Sequence, residues 1–295
     1  MNDNSISVSM IVKNESSCIA KALESVRGAD EIVICDTGSA DNTIEIARRF
    51  TDKVFTDYTW NDNFAEARNH SLSKCTKEWV LIIDADEHLE NNGIEKIREF
   101  LKGHINGHNA VYFNTVADST SPERHKSIRL FKRNAGIIWK GAAHNYLTEN
   151  KGILSDITLY YGYSDAHKQD PYRTIRILEK TIEQNPALSR ETFYLAREYW
   201  YKKNYATAIK YFSHYLTIAV WGPEIAEAQL TIAKCHIAIG NWIEGRKWCM
   251  EAMATNANLR EAFALMATLS GPKNAKQWNK IAASATNEDV LFIRQ

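Results

Sequence analysis

The densest group of side chains able to do chemistry is Asp84-Ala85-Asp86-Glu87, directly after the apolar run Trp79-Val80-Leu81-Ile82-Ile83. Two carboxylates two residues apart at a strand end can project to the same side. Ionised together in a confined site, they repel unless a cation neutralises them. A hard divalent ion, Mn²⁺ or Mg²⁺, takes oxygen ligands and commonly shares them with substrate phosphates. There it would neutralise a departing diphosphate as a Lewis acid. The plain alternative for so short a pattern is a solvated acidic turn. The buried-strand pattern before it favours a site.

Two further clusters accompany this one. Asp36-Thr37-Gly38-Ser39 follows Glu31-Ile32-Val33-Ile34-Cys35. Asp36 can cap the following helix. Ser39 and Asp41 lie closer to that helix and can cap it instead, which leaves Asp36 to accept from a ligand such as a pyrimidine N–H. Gly38 permits a sharp turn beside that ligand. In Trp60-Asn61-Asp62-Asn63-Phe64-Ala65-Glu66-Ala67-Arg68-Asn69, Arg68 and Asn69 fall next to the apolar stripe of a helix. Arg68 is either a surface charge or a guanidinium facing phosphates.

The elements that must position these groups alternate between two periods. Ile6–Val12, Glu31–Cys35, Lys53–Tyr58 and Trp79–Ile83 read as strands. Between them Ile19, Ala22, Leu23 and Val26, then Ile44, Ala47 and Phe50, then Phe64, Ala67, Ser71 and Leu72 fall at helical spacing. Such alternation predicts a parallel α/β sheet, in which ligands bind beyond the carboxyl ends of the strands. Lys13-Asn14-Glu15 after the first strand, Asp36 to Ser39 after the second and Asp84 to Glu87 after the fourth fall there. Val111–Val116, Ser127–Phe131, Ile137–Trp139 and Ile157–Tyr161 then read as strands without helices between them, an α+β segment that extends the sheet and shapes an acceptor face.

Taken together these segments resemble family 2 glycosyltransferases of the GT-A fold. The resemblance rests on Met10-Ile11-Val12-Lys13-Asn14-Glu15, Asp36-Thr37-Gly38-Ser39-Ala40-Asp41-Asn42-Thr43, Phe64-Ala65-Glu66-Ala67-Arg68-Asn69 and Trp79 to Glu87, in the family's order. It implies that Ile11, Val12, Glu15 and Asp36 hold the nucleoside of a nucleotide-sugar donor, usually a UDP-sugar. It places Arg68 near the donor, Asp84 on the ribose, and Asp86 on the metal. Transfer usually inverts the anomeric carbon. The subgroup it looks like joins this Rossmann-like domain to tetratricopeptide-type helices, and includes enzymes acting on lipopolysaccharide core sugars and on peptide cysteines.

The sequence departs from the subgroup after the metal motif. Arg129-Leu130-Phe131 is present and Gly141-Ala142-Ala143-His144 follows, but Asn145 stands where the subgroup often has Glu. Tyr160-Tyr161-Gly162-Tyr163 stands where it often has His-Tyr-Gly-Tyr. Inverting transfer to a hydroxyl normally needs a general base. Asp118, Glu123, His144 and Glu149 lie in the acceptor region. His144 is the leading candidate, as base or as a third metal ligand beside Asp84 and Asp86, against the alternative of a packed histidine. Glu87 can orient the metal ligands from behind.

From Asp170 onward the spacing is helical, with a weak repeat. Tyr199, Ala208 and Phe212 match tetratricopeptide positions, Pro186 fits a closing proline, Ile232, Ala233, Gly245 and Ala252 follow one unit later, and Phe263, Met266 and Ala267 begin another. A plain helical bundle is the alternative. The expected domains are residues 1–165 and 166–295, parted near Asp165–Pro171. The first carries 19 Lys/Arg against 24 Asp/Glu and the second 17 against 12, too weak a tilt to indicate nucleic-acid binding. Five cysteines without CxxC spacing predict neither a disulfide framework nor a zinc cluster, which fits a reducing cytoplasm. No apolar run reaches the ~20 residues of a membrane span, so no stable membrane insertion is expected.

The sequence leaves the acceptor open among a glycan, a peptide and a modified DNA base. The helical repeats can also support homo-oligomers. Two rival readings stand: a scaffold with a degenerate donor domain, and a nucleotidyltransferase. The second lacks its glycine-rich phosphate loop.

Overall fold

The apolar runs of the first half become the centre of an eight-stranded sheet. The computed structural model describes residues 4–105, 107–117, 124–149, 151–162 and 170–286. The chain divides into two compact units, Met1–Pro171 and Tyr172–Gln295. The expected boundary falls largely on residues outside those described, as do Asp118, Glu123 and Tyr163.

In the first unit, β1 (Ile6–Val12), β2 (Glu31–Asp36), β3 (Val54–Phe55) and β4 (Trp79–Ile82) are parallel. β5 (Glu87–Leu89), β6 (Ala110–Ala117), β7 (Arg124–Lys132) and β10 (Ile153–Tyr161) complete the order β3-β2-β1-β4-β7-β6-β10-β5. β7 runs antiparallel to both β4 and β6, so the sheet is mixed. β8 (Trp139–Lys140) and β9 (Tyr146–Leu147) form a separate two-stranded ribbon.

β1 lies between β2 and β4, where the connections diverge. Its residues are buried on both faces because helices cover them. α1 (Ile19–Ser25) buries Ile19, Ala22 and Leu23, and α2 (Thr43–Ala47) buries Ala47. α3 (Phe64–Lys74) packs on β1 through Ser71, whose hydroxyl lies 2.8 Å from that of Ser9. At the opposite edge, Glu31 accepts from Ser7 and Lys53, and from the Thr76 amide and hydroxyl at 2.7 and 2.8 Å.

Several elements differ from expectation, among them the strand expected at Ile137–Trp139, which forms β8 in the separate ribbon with β9 and does not extend the main sheet. β3 pairs only at Val54 and Phe55, because an edge strand has one neighbour to hold it. α4 (Gly93–Gly103) was not foreseen, although Ile94, Ile97 and Leu101 make its buried stripe. β5 was hidden because the chain turns directly after the acidic triplet. It then pairs antiparallel with β10, a partner distant in sequence.

The second unit is a succession of helices: α5 (Arg173–Gln184), α6 (Ser189–Tyr201), α7 (Tyr205–Ile218), α8 (Gly222–Ala238), α9 (Trp242–Thr255), α10 (Arg260–Thr268) and α11 (Pro272–Ser284). Consecutive helices pack on one another, joined by short turns that make neighbours antiparallel. The repeat positions face inward: Ala208, Phe212, Ile232, Ala233 and Ala252 are fully buried, and Phe263, Met266 and Ala267 nearly so. Gly245 lets α9 approach α8, since a Cβ there would lie 2.6 Å from Ile237. Among the described residues, no helix is long and apolar enough to cross a membrane.

All five cysteines are free. Burial pushes the Cys35, Cys75 and Cys235 thiols up to about 12 and Cys249 to about 11, so they pack as inert side chains.

Candidate active site

The loops leaving β1 and β2 are woven together. The Asn14 N–H donates to Ser39 Oγ at 2.9 Å, and Asn14 Oδ1 accepts from the Ala40 N–H at 2.7 Å. The Glu15 N–H donates to Thr43 Oγ1 at 2.7 Å, and the Ser16 N–H to Asp41 at 3.1 Å. Asp41, one residue before the α2 N-cap Asn42, also accepts from the Thr43 N–H at 3.0 Å. Burial raises the Asp41 carboxyl, but hydrogen bonds from Thr43 and Ser16 outweigh it and hold it at about 2. Ser39, the other expected cap, serves the β1 loop instead. Hydrogen bonds between two sequence-distant loops thus fix one wall of this edge of the sheet.

Asp36 lies in that wall and is buried. Its carboxylate accepts from the amides of Gly38 at 2.9 Å and Ser39 at 3.0 Å. Asp36 thus also accepts from the donors of its own turn, and Gly38 at φ +107° makes that turn. Each carboxylate oxygen keeps further acceptor capacity. Beside it, the Val12 carbonyl accepts from both the N–H and the hydroxyl of Thr37, at 2.9 and 3.1 Å. Ile11 pairs with Cys35 in the ladder. Glu15 accepts from the Cys18 thiol at 3.2 Å.

The turn after β4 is held by two arginines. Arg68 on α3 lies 2.8 and 3.0 Å from the two carboxylate oxygens of Asp84. Arg129 on β7 donates twice to Glu87, at 2.8 and 2.7 Å. Glu87 Oε2 also accepts the Asp84 N–H at 2.8 Å, and the Glu87 N–H returns to the Asp84 carbonyl at 3.0 Å. Burial pushes the Glu87 carboxyl up to about 7, against Arg129, which pulls it down. Asp86 lies between Asp84 and Glu87, and its carbonyl accepts the Gly162 N–H at 2.8 Å. The Tyr160-Tyr161-Gly162 segment thus braces the acidic turn, and Tyr160 stacks on His88 with ring centres 5.2 Å apart.

Arg68 is itself positioned by the β8–β9 ribbon. Its guanidinium lies 4.8 Å from the centre of the Trp139 ring. Asn69 fixes that ring's backbone, donating to the Trp139 carbonyl at 3.0 Å and accepting its N–H at 2.9 Å. The Phe64 N–H donates to the Ala142 carbonyl at 2.9 Å, anchoring the β8–β9 loop to the start of α3. His144 sits in this loop in the left-handed region, φ +47°. Among the described residues no three His, Cys, Asp or Glu side chains gather as metal ligands, so His144, Asp84 and Asp86 are not assembled as one cluster. Arg129 and Trp139 were missed as site residues. The only sequence signals were the Arg129-Leu130-Phe131 segment and a strand ending at Trp139.

The strands and loops just described fall within one family match. The family model Glycosyl transferase family 2 covers residues 7–162, more than half of the chain. The chain belongs to glycosyl transferase family 2. The family 2 region therefore contains the β1 and β2 loops, Arg68, the acidic turn and the ribbon. SunS of Bacillus subtilis, a prophage-derived glycosyltransferase, is 28% identical over 207 residues, 65% of this chain and 49% of SunS. A TPR repeat-containing protein of Synechococcus elongatus is 30% identical over 150 residues, 49% of this chain and 36% of that protein. This family 2 chain spans half or less of the length of these curated relatives. Among solved structures, residues 1–349 of S. aureus TarS align with a TM-score of 0.46 at 14% identity, covering 95% of this chain and 90% of that one.

Proposed function

We propose that this chain transfers a sugar from a nucleotide-sugar donor, a UDP-sugar, to an acceptor, with inversion at the anomeric carbon. The observation that carries this reading is the convergence of three polar structures at the carboxyl ends of parallel strands: the woven β1–β2 loops, the Arg68–Asp84 pair and the braced acidic turn. In an open α/β sheet that edge, at the switch between β2-β1 and β4, is where a nucleotide sits.

In this reading Ile11, Val12, Glu15 and Asp36 line the nucleoside end. Asp84, already fixed by Arg68, faces the ribose. The Arg68 guanidinium, over the Trp139 ring, would present its remaining donors toward phosphate. The acidic turn suits a divalent cation, because its oxygens are hard donors and its carboxylates outnumber the two arginines that hold it. A small hard cation of this kind needs only one or two carboxylates when substrate phosphates complete its shell. Asp86, with Asp84 beside it, would hold the Mn²⁺ or Mg²⁺ ion, whose chemistry when bound is neutralisation of the departing diphosphate. His144 and Glu149 are the proton acceptors on the ribbon side. The helical repeats select the acceptor, a glycan, a peptide or a modified nucleobase.

The test is donor hydrolysis. The full chain is incubated with a panel of nucleotide sugars and Mn²⁺, and nucleotide release is followed with and without EDTA. Slow, EDTA-sensitive release from at least one donor is expected. No release from any donor, with no nucleotide-induced thermal shift, would favour the scaffold reading instead.

A further inference from the structure

One end of the helical unit combines exposed aromatic and aliphatic side chains with a ring of cations. The turns α6–α7, α8–α9 and α10–α11 lie together there. Lys234 on α8 reaches Trp200 near the end of α6, with its ammonium 5.8 Å from the ring centre, and Arg246 on α9 donates to the Leu269 carbonyl in the α10–α11 turn. The antiparallel helices thus bring three sequence-distant turns to one end.

The α8–α9 turn projects apolar groups that nothing in the helical core requires. Ile243 is 80% exposed, and Ile239 and Trp242 are each more than half exposed. Tyr201, at the end of α6, is also exposed. These four are large side chains at helix ends, while the inward positions of the same helices are filled by others, Ala196, Cys235 and Cys249 among them. Around them stand Lys202, Lys203, Arg246, Lys247, Lys273 and Lys276, all exposed. The acidic residues near these turns include Glu198, Glu244 and Asp170. Asp170 precedes Tyr172, whose ring centre lies 5.0 Å from the Lys202 ammonium, and Glu244 is 3.8 Å from Lys247. The exposed cations therefore outnumber the acids at an apolar tip.

We propose that this end of the helical unit docks on the surface of an anionic phospholipid bilayer. Tryptophan and tyrosine sit well at the headgroup level, with isoleucine side chains reaching the acyl boundary. The surrounding lysines and arginines meet the negative headgroups. The partner matches both features at once, whereas a neutral apolar surface would offer these cations no anion. The contact is peripheral, since only turns and side chains enter the interface.

The full chain is tested by co-sedimentation with vesicles of phosphatidylcholine alone and with vesicles containing phosphatidylglycerol. Binding to the anionic vesicles is expected, falling as salt is added. The double variant Trp242→Asp/Ile243→Asp should lower the partition coefficient about tenfold or more. Lys202→Glu/Lys203→Glu should lower it without removing the apolar tip. Both variants should keep wild-type circular dichroism, melting temperature and soluble donor hydrolysis. Unchanged sedimentation of the double variant, or no preference for anionic vesicles, would overturn the proposal. So would a wild-type dimer in sedimentation velocity that Trp242→Asp dissolves, which would assign this end to a second copy.

Discussion

Arg68, on α3, holds both carboxylate oxygens of Asp84, at the end of β4, within 3.0 Å while its guanidinium rests on the Trp139 ring. The pair joins a helix, a central strand and the β8–β9 ribbon at one point. Arg68→Ala is expected to slow donor hydrolysis on the order of 10²-fold, the scale of one lost electrostatic donor. Arg68→Lys should recover little, because an ammonium neither stacks on Trp139 nor presents a planar fork. Wild-type hydrolysis by Arg68→Ala would remove this pair from the site.

Asp86 is the carboxylate assigned to the divalent ion. Asp86→Ala is expected to lower Mn²⁺-dependent donor hydrolysis roughly a hundredfold or more, the scale of a Lewis acid's contribution. Calorimetric UDP binding should then be indistinguishable with Mn²⁺ or EDTA. A variant that keeps the Mn²⁺ enhancement of UDP binding would move the metal elsewhere.

Asn69 makes two hydrogen bonds to the Trp139 backbone and acts on the site through that ring. Asn69→Ala should cost about 1–3 kcal/mol, because the β8 amide and carbonyl lose their partner. The KM for the donor should rise more than kcat falls, and tryptophan emission should change as Trp139 leaves Arg68. A loss of stability with unchanged donor KM would make Asn69 merely structural.

The Glu87–Arg129 pair is buried and bidentate. Arg129→Met is expected to destabilise by about 3–5 kcal/mol, since it strands a buried carboxylate. Adding Glu87→Leu should restore most of the melting temperature. It should not restore donor hydrolysis, because Glu87 also accepts the Asp84 N–H. Recovery of both together would show that the pair serves stability alone.

Glu31, at the opposite edge of the sheet, gives a pH signature. Burial raises its carboxyl, but hydrogen bonds from Lys53, Ser7 and Thr76 outweigh that effect and bring it to about 2, from about 4.5 when unfolded. A depressed carboxyl contributes stability above its unfolded pKa, and that contribution is lost as pH falls toward the folded value. Glu31→Gln should therefore melt lower than wild type at neutral pH, by about 1–3 kcal/mol for the unpaired donors. The difference should narrow between about pH 4.5 and 2. A difference that stays constant over that range would mean the ionised carboxylate is not what stabilises the edge.

The sequence alone determined the parallel core, the edge of the sheet that collects polar groups, and the helical second half. It could do so because strand and helix periods, and the buried run from Trp79 to Ile83, follow from local burial and spacing. Asp36, Asp84 and Asp86 stood out for the same reason, since each follows an apolar strand run, whereas Arg68 stands inside α3 beside its apolar stripe. What only the tertiary structure decided are the partners. That Arg68 meets Asp84, that Arg129 meets Glu87, that Asn69 clamps Trp139, and that Asp36 accepts from its own turn all depend on contacts between side chains and backbones whose approach no periodicity encodes. β5 shows the same limit, since a three-residue strand is set by its ladder to β10 rather than by its own composition. Local sequence fixes which groups reach an edge, whereas hydrogen-bond and charge pairing across that edge is settled by the folded chain as a whole.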